Sequence, residues 1–133
     1  MDFVGPYPDG GYILVIIDTF TRWVELYHSP DATAESAASS LLQHFGRYGA
    51  ATQIQSDRGP HFVAILIKEF LKLVGTEHCL TMAYSKEENS IVERANKEVN
   101  RHIRAYTFDT NHVKEYKNAI PLVMRILNTA FSD

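Results

Sequence analysis

The chain has 133 residues, 45% of them hydrophobic and 22% charged, which fits one compact folded domain and excludes a disordered tail. No apolar run approaches the roughly 18 residues of a membrane span, and Met1-Asp2-Phe3 does not open a signal peptide. A single cysteine, Cys79, excludes an internal disulfide and a cysteine-based zinc finger, so an intracellular protein is expected.

In chain order, Asp2-Phe3-Val4 reads as the end of a strand, followed by a loop marked by Pro6, Pro8, Gly10 and Gly11. Tyr12 to Ile17 is a continuous β-branched and aromatic run, the pattern of a strand buried on both faces. Asp18-Thr19-Phe20-Thr21 reads as a hairpin turn into a strand from Trp23 to Tyr27. A helix is predicted from Ala34 to Tyr48, with Thr33 as N-cap, Gly49 as terminator, and Ala34, Ala37, Ala38, Leu41, Phe45 and Tyr48 on its inner face. A short strand over Thr52 to Gln55 leads to a second helix opened by Pro60, with Phe62, Ile65, Leu66, Phe70 and Leu73 inward and Gly75 at its end. A brief strand near Glu77 to Leu80 and a polar stretch precede a long helix from Ser90 to Tyr106. A last helix runs from His112 to Ala130, with Pro121 as a kink.

The long helix is the most informative element. Val92, Ala95, Val99, Ile103 and Tyr106 define its buried stripe, and Arg94, Lys97, Arg101 and Arg104 fall on the other side, with Glu93 on the rim. A solvated basic face, helped by a Glu93–Lys97 pair, explains this pattern as simply as a binding surface does. The net charge of −3 confines any polyanion affinity to such a patch or to segments outside this chain.

Two blocks decide between these readings. Ser56-Asp57-Arg58-Gly59-Pro60-His61-Phe62 resembles the surroundings of the second catalytic aspartate in retroviral and retrotransposon integrases. Val92-Glu93-Arg94-Ala95-Asn96-Lys97 resembles the block around that family's catalytic glutamate, and thirty-five residues lie between Asp57 and Glu93, the family's interval. Gly11 to Asp18, Phe20-Thr21-Arg22-Trp23, Pro121 and Asn128 extend the likeness over nearly the whole chain, with the flavour of the gypsy group of long-terminal-repeat elements. The resemblance implies an α/β, RNase H-like fold: a mixed five-stranded sheet, three strands antiparallel and the others parallel, flanked by helices. It also implies one domain over residues 1–133, an excised core without the zinc-binding and DNA-binding domains that usually flank it.

For the first acidic residue, Asp2 and Asp18 compete. The family places it on the first strand, where Met1-Asp2-Phe3-Val4-Gly5-Pro6 resembles the opening block, whereas Asp18 suits a turn in which Asp bonds nearby backbone. The resemblance therefore implies Asp2, Asp57 and Glu93 as catalytic and metal-holding residues, with two Mg²⁺ or Mn²⁺ ions. It further implies Tyr84, Asn89, Asn96, Lys97 and Arg101 as DNA contacts, element ends and target DNA as partners, action in the nucleus without membrane attachment, and a homodimer through the first and last helices. The apolar surplus of Ile120, Leu122, Val123, Met124, Ile126 and Leu127 supports the dimer independently. Lys86 and Ser90 depart from the family, which carries proline and glycine there, and Glu87 and Glu88 add negative charge nearby. A domesticated integrase-derived module without catalysis, or another RNase H-like nuclease, are the rival readings.

Overall fold

The computed structural model describes residues 1–18, 20–49, 53–56, 59–74, 81–83, 86–110 and 116–130, excepting the side chains of 53–55, 59–60, 63, 71, 74, 81–83, 86–89, 106–110 and 130. The elements are β1 (Asp2–Val4), β2 (Tyr12–Ile17), β3 (Val24–Ser29), α1 (Ala34–Tyr48), β4 (Gln53–Gln55), α2 (Gly59–Val74), β5 (Thr81–Ala83), α3 (Lys86–Thr110) and α4 (Tyr116–Ala130).

β1, β2 and β3 form an antiparallel sheet in that order, with Asp2 opposite Val15 and Ile17 opposite Val24. β4 and β5 pair in parallel, Ile54 opposite Met82. Strand alternation divides β2 between two cores. Ile13, Val15 and Ile17 pack with Val92, Ala95, Val99 and Ile103 of α3 and Ile120, Val123 and Leu127 of α4. Leu14 joins Phe3, Leu41 of α1, and Leu66 and Phe70 of α2 on the other face. Helices thus cover both sides of the antiparallel sheet, which is why β2 carries an uninterrupted apolar run.

Local chemistry sets the helix ends. The Thr33 hydroxyl accepts from Ser36 N at 3.2 Å, satisfying one of the free N–H groups at the start of α1. Gly49, at φ 85°, ends it by donating to Phe45 O at 2.8 Å.

Several expectations need correction. Tyr48 and Leu73 are not core residues: each sits in the last turn of its helix and is about half exposed, and Tyr48 meets β3 through its hydroxyl, which donates to Glu25. α3 begins at Lys86, not Ser90, and runs on to Thr110. The family's glycine would weaken a helix over this stretch, whereas Ser90 favours it more, and Glu87 and Glu88 suit the positive end of the helix dipole. α4 contains Pro121 and is described from Tyr116, the expected start at His112 lying outside the described residues. The strand expected over residues 77–80 lies outside the described residues, and β5 follows it at Thr81–Ala83. Among the described residues the hydrogen-bonded sheets number three and two strands; no pairing joins them into five.

Candidate active site

The alternation of β1 sends Phe3 toward α1 and α2, and Asp2 and Val4 toward α3 and α4. The Asp2 carboxylate is half-buried there and fixed at both oxygens. Oδ1 accepts from the Phe3 N–H at 2.8 Å, and Oδ2 accepts from Asn96 Nδ2 at 3.1 Å. Its neighbour on α3 is placed by the apolar stripe of Val92, Ala95, Val99 and Ile103, which seats the helix on the sheet and leaves Asn96 on the stripe's border.

Asn96 Oδ1 is buried and has no hydrogen-bond partner among the described residues. Turning the amide over would set two oxygens against each other, so the orphaned acceptor follows from the carboxylate's demand for a donor. An unmet buried acceptor beside a carboxylate costs stability unless a cation or a hydrogen donor reaches it. Both groups are hard oxygen donors, the kind Mg²⁺ takes while keeping several waters, so the residues fit a divalent cation. Among the described residues no three His, Cys, Asp or Glu side chains gather as a metal site, and Asp57 lies outside them.

Glu93 is exposed one helical turn before Asn96. Glu93, Asn96, Lys97 and Asn100 follow each other at steps of three and four, so they share one edge of α3. Phe3, Val4, Gly5, Asn96, Lys97 and Asn100 line a groove of about 250 Å³ between β1 and that edge. Lys97 thus belongs with Glu93 and the groove, while Arg94, Arg101 and Arg104 remain exposed on the helix. No ion pair joins Glu93 to Lys97 among the described residues; Arg101 instead pairs with Glu98 at 2.6 Å.

Of the other expected site residues, Asp57 and Tyr84 lie outside the described residues, and Asn89 falls in the first turn of α3 with its side chain outside them. Asp18 occupies the β2–β3 turn, exposed, where its Oδ1 accepts from Phe20 N at 2.9 Å and Thr21 N at 3.3 Å. Asn100 and Tyr7 escaped the sequence reading. Tyr7 OH donates to Asn100 Oδ1 at 3.3 Å, and burial pushes that phenol up to about 12, so it stays a donor at neutral pH. For Asn100 the signal was present: it stands seven residues after Glu93, on the same helix edge.

The family profile named integrase core domain matches residues 1–86 of this chain. The chain belongs to that family. As an integrase core, it is 35% identical over 120 residues to the Gag-Pol polyprotein of feline leukemia virus, an alignment covering 89% of this chain. It spans only 7% of that polyprotein's length. In fold it is similar to the HTLV-2 integrase catalytic core domain, solved in complex with magnesium in a trimeric form, with a TM-score of 0.69 at 22% identity over 92% of this chain and 78% of that one. A dimeric form of the same domain matches with a TM-score of 0.67 at 23% identity, over 92% and 79%. The catalytic core domain of BIV integrase gives 0.65 at 27% identity, covering 92% of this chain and 78% of that chain. The arrangement is therefore the RNase H-like α/β fold of integrase catalytic cores. The profile match takes in Asp2, Asp57 and Tyr84 and stops before Glu93.

Proposed function

We propose that this chain is the core of a retroelement integrase that trims DNA 3′ ends and joins them to target DNA with the help of divalent metal. One observation carries the reading: Asp2, on the first strand of an integrase-family chain, is held by Asn96, one helical turn from Glu93. Asp2, Asp57 and Glu93 would hold Mg²⁺ or Mn²⁺, two ions in the full site, together with the orphaned Asn96 oxygen. Bound there, the metal supplies charge neutralisation at the attacking and leaving oxygens of a phosphodiester displacement.

The chain's own side chains do the rest. Asn96 and the Phe3 N–H orient the Asp2 carboxylate before substrate arrives, so little reorganisation is left for the reaction. Lys97 offers an ammonium at the groove for backbone phosphate, and Tyr84 and Asn89 extend the contact from the segment before Glu93. Arg101 has donors beyond the one that meets Glu98, in an exposed pair worth little. We take β4 and β5 to continue the sheet beside β1, giving five strands in one domain over residues 1–133. The shared packing of Phe3 with Leu66 and Phe70 supports this. Exposed Leu122 and Ile126 on α4 support a homodimer, and DNA chemistry of this kind assigns the protein to the nucleus.

A second reading, an integrase-derived module without catalysis, is favoured by one observation. α3 starts at Lys86, so helix replaces the loop expected before Glu93. Incubating the chain with a short blunt-ended duplex and a target plasmid, with Mg²⁺ and with chelator, separates the two. The integrase reading expects Mg²⁺-dependent joining that is lost in Glu93→Gln. DNA binding without joining at any Mg²⁺ or Mn²⁺ concentration would leave the non-catalytic module.

A further inference from the structure

We propose that Tyr7 is a positioning residue for DNA: its hydroxyl holds the Asn100 amide by the oxygen, so that the amide offers its N–H groups to the groove between β1 and α3. The proposal rests on the integrase reading of the Asp2 site and adds two residues to it.

Tyr7 does not owe its place to Asn100. Its ring is only 9% exposed and stacks on Tyr116, centroids 4.5 Å apart and planes 30° apart. The loop that carries it is closed on itself by Tyr7 N–H to Gly11 O at 2.9 Å and Gly10 N–H to Tyr7 O at 2.8 Å. Asp9 ties the same loop to α4, accepting at Oδ1 from Gly11 N at 2.8 Å and from Tyr116 OH at 3.0 Å. Lys117 Nζ lies 3.7 Å from the other carboxylate oxygen. A Cβ at Gly11 would run into the Tyr116 hydroxyl, so the close approach depends on glycine. Six interactions thus deliver one hydroxyl to a fixed point above α3, more order than a surface loop between two strands requires.

What that hydroxyl does follows from donor and acceptor counting. Tyr7 donates to Asn100 Oδ1, which leaves Nδ2 and its hydrogens as the amide's contribution to a ligand. Lys97, three residues earlier on the same edge, has only donors to offer. Two adjacent donors call for an acceptor-rich partner, and the phosphodiester oxygens of a strand entering beside Asp2 are of that kind. Without the Tyr7 hydroxyl the Asn100 amide is free to rotate and to present its oxygen, which repels phosphate.

The test uses the whole chain, a fluorescent blunt-ended duplex, and Ca²⁺ for equilibrium binding, followed by strand transfer in Mg²⁺. Tyr7→Phe keeps the ring and its stack. It should weaken DNA binding about 3- to 10-fold, the loss of one hydrogen bond in orientation, and raise KM without lowering kcat. The double variant Tyr7→Phe/Asn100→Ala should bind no worse than Asn100→Ala alone. Asn100→Asp keeps the acceptor for Tyr7 but replaces the donors with negative charge, and should bind DNA more weakly than Asn100→Ala. Unchanged binding in Tyr7→Phe, additive losses in the double variant, or equal binding of the Asp and Ala variants would overturn the proposal. If the wild-type chain binds DNA but joins none, the integrase reading fails while the binding cycle still decides for or against Tyr7. Absence of DNA binding by the wild type would overturn both.

Discussion

Asn128→Ala should cost this fold more than any exposed change on the same helix. The Asn128 side chain accepts from Val24 N–H through Oδ1 at 2.7 Å and donates to Val24 O through Nδ2 at 2.9 Å. β3 is the edge of its sheet, and the outward N–H and C=O of Val24 would face a missing strand. The amide stands in for that strand, and Val24 is fully buried beneath it. Truncation leaves two backbone groups unpaired, each costing about 1–3 kcal/mol. Asn128 is itself partly exposed, so water recovers some of this, and a loss of about 3 kcal/mol is expected. For a domain of this size that lowers Tm by about 10 °C. Asn118→Ala, an exposed site on α4, supplies the control for helix propensity. Urea unfolding of both variants measures the difference directly. A gap between them below about 1 kcal/mol would refute the idea that the amide replaces a strand.

Other outcomes follow from the same structure. Burial holds His44 and His28 below the usual imidazole range, His44 also receiving or giving a hydrogen bond to Tyr27 OH at 3.0 Å. The folded state thus disfavours their protonation, so stability present above the unfolded histidine pKa, about 6.5, should fall as pH drops below it. Tm at about pH 8 exceeding Tm at about pH 5.5, with the gap narrowed in His44→Gln, checks the sign. Replacing Lys97 and Arg101 together should flatten the dependence of DNA affinity on salt by a slope of about two; an unchanged slope in a binding titration would make both ordinary surface residues. Leu122→Asp with Ile126→Asp should convert a dimer to a monomer in sedimentation while the monomer stays folded, since both side chains are exposed on the single chain. A wild-type chain that sediments as a monomer at every concentration would remove the dimer from the account.

Much of this architecture can be read from the sequence because it depends on periodicity. The run from Tyr12 to Ile17 has apolar residues on both faces because helices cover both, and the stripe on α3 repeats at the helical period because one side meets the sheet. Thr33 and Gly49 are legible for the same reason: capping is local chemistry. Tyr48 and Leu73 were misread because periodicity says which way a residue faces, not how much of it stays exposed in the last turn of a helix. The start of α3 was hidden by the family pattern, which expects a proline and a glycine where this chain has Lys86 and Ser90. Contacts such as Tyr7 with Asn100 or Asn128 with Val24 join residues about a hundred positions apart, and no local pattern encodes them. The Asp2–Asn96 bond lies between these cases. Each residue is marked by a block resembling the family, but the bond itself appears only when β1 is laid against α3.

The assignment of Asp2 over Asp18 is the center of the account, and strand transfer by two single variants tests it most directly. Asp2→Asn removes the charge that Asn96 and the Phe3 N–H hold in place, and Mg²⁺-dependent joining should fall by at least about a hundredfold, as loss of a metal-holding carboxylate implies. Asp18→Asn retains an oxygen for the Phe20 and Thr21 N–H groups at an exposed turn, and joining should stay within about twofold of the wild type. The reverse ranking, with Asp18→Asn inactive and Asp2→Asn active, would contradict the site described around Asn96 and α3.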